Sequence, residues 1–141
     1  MNSPSIGTMI ICRGLPGSGK STWAKAYQNV TRVNRDDLRE MMHGGVWSKS
    51  NEKLVVIARD AIIRATLRAG GSVIVDDTNG TTVARLTQIA HEVDPNIYPV
   101  VRNFPISVKE AVRRDSMRPK PVGESVIRGM AHLFTDIILP D

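Results

Sequence analysis

The sequence predicts an α/β domain with a four-stranded, mainly parallel sheet and helices on both of its faces. Short apolar runs rich in valine and isoleucine alternate along the chain with longer segments of helical periodicity, a pattern typical of a parallel sheet with crossover helices. The first apolar run, residues 8–13, is nearly continuous, as expected of a strand that is covered on both faces. A length of 141 residues suits one core, so we expect a single domain spanning residues 1–141.

Composition and charge exclude several classes of protein. Hydrophobic residues make up 41% of the chain and charged residues 23%, which is typical of a globular protein rather than a disordered one. No apolar run approaches the ~18 residues of a membrane-spanning helix, and the N-terminus lacks the basic region of a signal peptide, so we expect a cytoplasmic protein. The single cysteine, Cys12, excludes an internal disulfide and a cysteine-based metal cluster. The net charge of +5 favours anionic partners such as nucleotides or nucleic acid.

The individual elements follow from hydrophobic periodicity and from the glycines, prolines and capping residues that interrupt it. Strands are expected at residues 8–13, 30–33, 72–75 and 97–101, and helices at residues 20–28, 34–42, 51–69, 81–93, 107–117 and 124–134. In the longest helix, five apolar residues recur at helical spacing and predict one buried stripe: Leu54, Ala58, Ala61, Ile62 and Ala65. Residues 136–141 are expected to form a tail or the start of a linker.

A glycine-rich octapeptide lies between the first predicted strand and the first predicted helix. Residues 14–21, Gly-Leu-Pro-Gly-Ser-Gly-Lys-Ser, match the pattern G-x-x-x-x-G-K-[ST], in which the glycines let the backbone approach a polyphosphate closely. The Lys20 ammonium would bridge the β- and γ-phosphates, and the Ser21 hydroxyl would hold Mg²⁺ or Mn²⁺. The amide groups of six residues would converge on phosphate oxygens: Gly17, Ser18, Gly19, Lys20, Ser21 and Thr22. The motif predicts a P-loop NTPase-type three-layer fold that binds a nucleoside triphosphate.

Pairs of aspartates follow the second and third predicted strands. The carboxyl ends of parallel strands meet at one edge of a sheet, so both pairs are expected near the bound triphosphate. Asp36 or Asp37 is placed to accept a hydroxyl proton in line with the γ-phosphate. Asp76 is placed to organise the metal, directly or through water, with Asp77 as the alternative. Local roles are the competing interpretation, since the first pair also suits a helix cap and the second a strand-end turn.

Basic residues surround a proline-rich break late in the chain. Arg113, Arg114, Arg118 and Lys120 flank or lie in this break, and arginines on such a segment can close over a triphosphate as a lid. A solvated basic surface is the competing interpretation. Trp47 lies in a glycine-rich connection and is a candidate for lining an acceptor groove, where its ring could stack on bases.

Four segments together resemble the kinase module of bacteriophage and bacterial polynucleotide 5′-kinases. They are the phosphate loop, the Val-Asn-Arg-Asp-Asp-Leu-Arg segment at residues 33–39, the Asp-Asp-Thr-Asn segment at residues 76–79, and the arginines at 114 and 118. The resemblance implies that Asp36 is the general base on a 5′-hydroxyl, that Arg39 grips an acceptor phosphate, and that Arg118 contacts the transferring phosphate.

The resemblance also implies supporting roles at the rim of the site. Arg114 would assist Arg118 from the lid, and Arg35 and Arg13 would be further contacts to acceptor phosphates. Either Asp76 or Asp77 would organise the metal or the lid.

The activity implied is transfer of the γ-phosphate of a nucleoside triphosphate to the 5′-hydroxyl end of DNA or RNA, as in nucleic-acid end repair. Two alternatives stay open: a small-molecule kinase on the same core, and a nucleotide-dependent switch or binding module. The family often carries a phosphatase or ligase module on the same chain. Since 141 residues have room for neither, we expect an isolated kinase or a piece of a longer enzyme.

Overall fold

The structure, a computed structural model, describes residues 7–141. The strands are β1 (Met9–Arg13), β2 (Thr31–Val33), β3 (Val73–Val75), β4 (Val100–Asn103), β5 (Ile106–Ser107) and β6 (Ile138–Leu139). The helices are α1 (Lys20–Lys25), α2 (Arg35–His43), α3 (Lys49–Arg68), α4 (Val83–Val93), α5 (Val108–Ser116) and α6 (Glu124–Met130), and a 3₁₀ turn, Ala131–Phe134, follows α6.

Four strands form one parallel sheet in the order β2-β3-β1-β4. Successive residues of β1 face opposite sides of this sheet. Ile11 belongs to a core built with α3 and α4, whereas Cys12 packs with Ala24 of α1 in a second cluster. Helices therefore cover both faces, and the predicted fold class is confirmed.

A smaller unit of α5, α6 and the parallel β5–β6 pair packs beside the phosphate loop. Its core gathers Ile106, Ile127 and Phe134 around Leu15 of the loop itself. Helix α5 approaches so closely that a Cβ atom at Gly17 would lie 2.8 Å from the carbonyl oxygen of Ala111. The phosphate loop and the predicted lid therefore pack against the same hydrophobic cluster.

Two predictions in the C-terminal third of the chain are wrong. The fourth strand begins at Val100 and not at residue 97, because Pro99 has no N–H to donate and pairing starts after it. Residues 136–141 are not a tail. Ile138 pairs with Ile106, Asp136 binds Arg13, and the Asp141 carboxylate accepts a hydrogen bond from the Lys109 amide.

The buried stripe predicted for α3 is also wrong. Leu54 is 49% exposed, and Ala61 and Ala65 are exposed as well, while Ala58 and Ile62 are only partly buried. The buried face instead carries five residues: Val55, Arg59, Asp60, Ile63 and Leu67. A hydrophobicity pattern assigns charged residues such as Arg59 and Asp60 to solvent. The prediction therefore placed the wrong face of α3 in the core. Among residues 7–141, no helix has both the length and the apolar character needed to span a membrane.

The charged pair inside α3 predicts a large effect on stability. Arg59 donates to Oδ1 of Asp60 at 3.1 and 3.0 Å, and its Nη1 lies 3.7 Å from Oδ2 of Asp77. Both Arg59 and Asp60 are buried. Replacing Arg59 by Met would leave buried carboxylates without their shared cation, at a cost of about 3–5 kcal/mol of unfolding free energy.

Urea unfolding followed by circular dichroism measures this cost. Arg64→Met is the matched control, because Arg64 lies on the same helix in a half-exposed pair with Glu92 at 3.3 Å, and such pairs contribute about 1 kcal/mol or less. Equal losses in the two variants would contradict the assignment of a buried, shared cation to Arg59.

Candidate active site

A cleft of about 690 Å³ opens at the carboxyl edge of the sheet. It is bounded by the phosphate loop, by the segments that follow β2 and β3, and by the α5–α6 unit. Residues singled out from the sequence that line it are Gly17, Gly19, Lys20, Ser21, Thr22, Arg35, Asp36, Asp37, Arg39, Asp76, Asp77, Arg114 and Arg118. The cleft thus brings together residues from four separate parts of the chain.

The phosphate loop has the backbone geometry that its motif predicts. Gly17 and Gly19 adopt φ angles of +82° and +99°, a region that favours glycine. The amide of Gly14 donates to the carbonyl of Thr78 at 3.1 Å, which ties the loop to the end of β3. Ser18 is buried, and α1 starts directly after Gly19, so the helix N-terminus faces the cleft.

The side chain of Lys20, the first residue of α1, folds back into the phosphate loop. Its ammonium donates to the carbonyl oxygens of Gly14 at 2.8 Å and Leu15 at 2.7 Å and to Oγ of Ser18 at 3.2 Å. Burial lowers the pKa of Lys20 to about 8, against an opposing contribution from Asp76. The lysine is therefore poised between its charged and neutral forms just above neutral pH.

This pKa predicts how nucleotide affinity varies with pH. Contact with phosphate favours the charged lysine, so binding raises its pKa, and affinity falls as pH rises through about 8. We expect the association constant for ADP, measured by calorimetry without divalent metal, to decrease by up to about tenfold per pH unit between about pH 8 and 9.5. In Lys20→Met the affinity should be lower and nearly independent of pH over this range. A flat profile in the unaltered protein would contradict the prediction.

The two aspartates after β3 have different surroundings. Oδ2 of Asp76 accepts from Nε and Nη2 of Arg32 at 2.8 and 2.7 Å, while its Oδ1 is buried without a hydrogen-bond partner among residues 7–141. Asp77 instead accepts a hydrogen bond from the backbone amide of Arg35 at 2.9 Å and so fixes the start of α2.

The surroundings of Asp76 fit a divalent cation. Burial raises the pKa of Asp76 above its usual value, and Arg32, the Ser21 hydroxyl and Lys20 lower it in part. A buried carboxylate oxygen without a partner, next to a serine hydroxyl, is the oxygen donor set that Mg²⁺ accepts when phosphates supply further ligands. Asp77 also has a buried oxygen, Oδ2, without a hydrogen-bond partner among residues 7–141, but that oxygen lies 3.6 and 3.7 Å from the guanidinium groups of Arg35 and Arg59. Asp76 is therefore the better fit of the two, because the Ser21 hydroxyl lies beside it.

Asp36 and Asp37 likewise differ in their partners. Oδ1 of Asp36 accepts a hydrogen bond from Nη1 of Arg39 at 2.6 Å, and 74% of the Asp36 side chain is exposed to the cleft and to solvent. Asp37 is held by the Asn34 amide at 2.9 Å and by Arg32 at 3.1 Å. Both aspartates are exposed and line the cleft, but the partners of Asp37 belong to the cap of α2 and its neighbouring strand, whereas Asp36 is bonded to Arg39.

Glu52 of α3 fixes the arginine that touches Asp36. Its two carboxylate oxygens accept from Nε and Nη2 of Arg39 at 2.8 and 2.7 Å. The hydrogen bonds from Arg39 hold the pKa of Glu52 below its usual value. Sequence reasoning missed Glu52, because the one available signal was an acidic residue in the first turn of a helix, which is common at that position.

The two arginines predicted for the lid form ion pairs with acidic residues of α5. The buried carboxylate of Asp115 accepts hydrogen bonds from the amides of Val122 and Gly123 at 3.0 Å and lies 3.5 Å from Arg118. Glu110 accepts from Arg114 at 3.0 Å. Asp115 was not anticipated from the sequence, and it holds the proline-rich segment against α5.

Two sequence candidates lie elsewhere. Arg13 does not line the cleft: it binds Asp136 at 2.9 Å and the carbonyl of Leu133 at 2.7 Å, and it lies over the ring of Phe134. Trp47 also lies outside the cleft lining and is 66% exposed.

Comparison with known proteins agrees with this geometry. A family model described as an AAA domain matches residues 9–136. The chain belongs to the AAA domain family. This AAA domain is 32% identical, over 89% of its length, to an L-seryl-tRNA(Sec) kinase of Methanococcus maripaludis. It is 27% identical, over 82% of its length, to a protein of Autographa californica nuclear polyhedrosis virus named as a bifunctional polynucleotide kinase/RNA ligase.

A solved structure extends the likeness to the fold. A chain in the Pnkp1/Rnl/Hen1 RNA repair complex superposes with a TM-score of 0.78 and 29% identity over 96% of this AAA domain. The domain spans 52% and 19% of the two relatives and 46% of that chain, about half or less of each. The resemblance to polynucleotide kinase-type P-loop proteins is confirmed.

Proposed function

We propose that this P-loop kinase transfers the γ-phosphate of a nucleoside triphosphate to the 5′-hydroxyl of a DNA or RNA end. The observation that carries the proposal is that Asp36, bonded to Arg39 at 2.6 Å, lines the same cleft as the phosphate loop. A carboxylate and an arginine beside a triphosphate cradle suit an acceptor that brings both a hydroxyl and a phosphate.

On the donor side, the loop amides from Gly17 to Thr22 and the Lys20 ammonium would hold the β- and γ-phosphates. Ser21 and Asp76 would hold Mg²⁺, with Asp76 acting directly or through water. The metal, when bound, neutralises negative charge on the phosphate oxygens. Arg118, assisted by Arg114, would stabilise the charge that spreads over the transferring group.

On the acceptor side, the Asp36 carboxylate would accept the proton of the 5′-hydroxyl. The hydroxyl oxygen then forms a bond to the γ-phosphorus, the bond from that phosphorus to the β,γ-bridging oxygen breaks, and the nucleoside diphosphate leaves with the bonding electrons. Arg39 orients Asp36 and, with Arg35, faces the acceptor phosphates. Most of the catalysis on this account is positioning and charge neutralisation.

A second candidate function is supported by one comparison. The relative at 32% identity is named as a kinase of a seryl-tRNA, so an acceptor hydroxyl on a tRNA-bound amino acid is the alternative within the same chemistry. A free small molecule is less favoured, because a neutral acceptor would not need Arg35 and Arg39 beside the base.

Phosphate transfer to competing acceptors tests the proposal. The enzyme would be supplied with γ-labelled ATP and Mg²⁺ and with an equimolar mixture of a 5′-hydroxyl oligonucleotide, the same oligonucleotide with a 5′-phosphate, and seryl-tRNA. We expect label on the 5′-hydroxyl oligonucleotide alone. Label on the serine would support the second function instead, and release of free phosphate with no labelled acceptor would contradict both.

A further inference from the structure

The loop between α2 and α3, residues 44–48, exposes two large apolar side chains a few positions after the residues of α2 that line the cleft. Trp47 is 66% exposed and Val46 is 65% exposed. Exposed tryptophan is uncommon in a soluble domain, and an aromatic ring beside a site for nucleic acid is a stacking surface for bases. The proposed phosphate transfer assigns no role to this loop.

The loop is held in place relative to Asp36. Gly44 and Gly45 leave α2 with φ angles of +60° and +80°, and the side-chain amide of Asn51 donates to the carbonyl of Val46 at 3.0 Å. The loop then enters α3, whose Glu52 binds Arg39 and through it Asp36. A shift of the loop would therefore also move Glu52, Arg39 and Asp36 at the acceptor end of the cleft.

The loop and the lid segment approach the same carboxylate of α2. The Glu40 carboxylate lies next to Gly45, 2.8 Å from where a Cβ would stand, and Lys120 of the lid segment approaches the same carboxylate at 3.9 Å. The distance along the helix axis from Asp36 to His43, the last residue of α2, is about 10 Å, because an α-helix rises by ~1.5 Å per residue. A strand whose 5′ end reaches Asp36 and leaves along α2 would meet Trp47 within a few nucleotides.

The charge around Trp47 favours a polyanion. Lys49 and Lys53 are exposed on the first two turns of α3, directly after the tryptophan. Of the two acidic groups nearest in the sequence, Glu52 binds Arg39 at 2.7 Å, and the exposed Glu40 lies 3.9 Å from Lys120. A basic, aromatic surface is the combination that binds unpaired nucleotides without reading their sequence.

We propose that Trp47 stacks on an unpaired base of the acceptor strand, a few nucleotides inside its 5′ end, while Lys49 and Lys53 contact the phosphates there. The inference rests on the proposed polynucleotide acceptor and names the part of the enzyme that recognises strand length. It predicts that the enzyme prefers single-stranded acceptors of several nucleotides over a single nucleoside 3′-phosphate.

The test measures KM for two 5′-hydroxyl acceptors, a nucleoside 3′-monophosphate and a single-stranded octanucleotide, in the unaltered enzyme and in Trp47→Ala. We expect the octanucleotide to have the lower KM in the unaltered enzyme. The ratio of the two KM values should fall about tenfold in Trp47→Ala, as expected for the loss of one stacked base, with kcat unchanged. Trp47→Phe should keep most of the ratio. Met41 is an apolar residue of α2 that is 75% exposed, and Met41→Ala should keep all of the ratio.

A second readout does not depend on turnover. In a Trp23→Phe background, the octanucleotide should quench the fluorescence of Trp47, and Lys49→Ala with Lys53→Ala should reduce the salt dependence of this binding. If the enzyme phosphorylates the octanucleotide but the KM ratio in Trp47→Ala is unchanged, the stacking site is overturned and the exposed loop is left as a surface for another class of partner. If no oligonucleotide is phosphorylated by the unaltered enzyme, the proposed function fails first and the stacking site with it.

Discussion

Asp36→Asn is expected to reduce phosphate transfer to a 5′-hydroxyl oligonucleotide by about 10²–10⁴-fold, the usual contribution of a positioned general base. The amide keeps the shape of the side chain and accepts a hydrogen bond from Arg39, but it cannot take up the hydroxyl proton. Steady-state transfer of labelled phosphate measures the loss. The Kd for ADP should stay within about twofold, because the partner of Asp36 is Arg39 of the same helix, and not a residue of the phosphate loop.

Asp37→Asn is the matched control for this variant. Asp37 is adjacent in sequence and similarly exposed, at 71% of its side chain, but it is bonded to Asn34 and Arg32. We expect its substitution to change transfer by less than about tenfold, since its role is in the cap of α2. If Asp37→Asn loses transfer activity and Asp36→Asn keeps it, the general base is Asp37 instead.

Arg118→Ala is expected to slow transfer by about 10³-fold or more, in the range found for arginines that stabilise a transferring phosphoryl group. Its side chain lines the cleft, is 43% exposed and lies 3.5 Å from Asp115, so its guanidinium is available to a bound phosphate. The effect should be on kcat more than on the KM for ATP. Arg118→Lys should recover only part of the rate, because an ammonium cannot bind phosphate oxygens in a bidentate manner.

Arg113→Ala controls for loss of positive charge on α5. Arg113 is exposed, does not line the cleft, and pairs with Glu110 at 2.6 Å. Transfer by this variant should stay within about threefold of the unaltered enzyme. Equal losses in Arg113→Ala and Arg118→Ala would indicate a general electrostatic effect and would contradict a specific contact from Arg118.

The features that sequence reasoning predicted are local or follow from sheet geometry. The phosphate loop is one continuous segment, so its motif alone specifies its conformation. The aspartates after β2 and β3 are far apart in sequence, yet they line one cleft because parallel strands end at the same edge of the sheet.

The features that it missed depend on packing between elements. Glu52, Arg32 and Asp115 act through partners that only the tertiary structure brings near, and none belongs to a motif. The orientation of α3 was predicted wrongly for the same reason. Arg59 and Asp60 can be buried because they pair with each other and Arg59 also approaches Asp77. A pattern of hydrophobicity along the sequence carries no information about such pairs.

The central claim is that the Asp36 carboxylate contacts the acceptor hydroxyl in the same cleft in which the phosphate loop holds the phosphates of the donor. A crystal structure with ADP and a 5′-hydroxyl trinucleotide measures this directly. The account predicts the 5′-oxygen at about 2.6–3.2 Å from the Asp36 carboxylate, on the side of the cleft that faces the β-phosphate of ADP. A 5′ end bound outside the cleft, with Asp36 turned toward solvent, would contradict it.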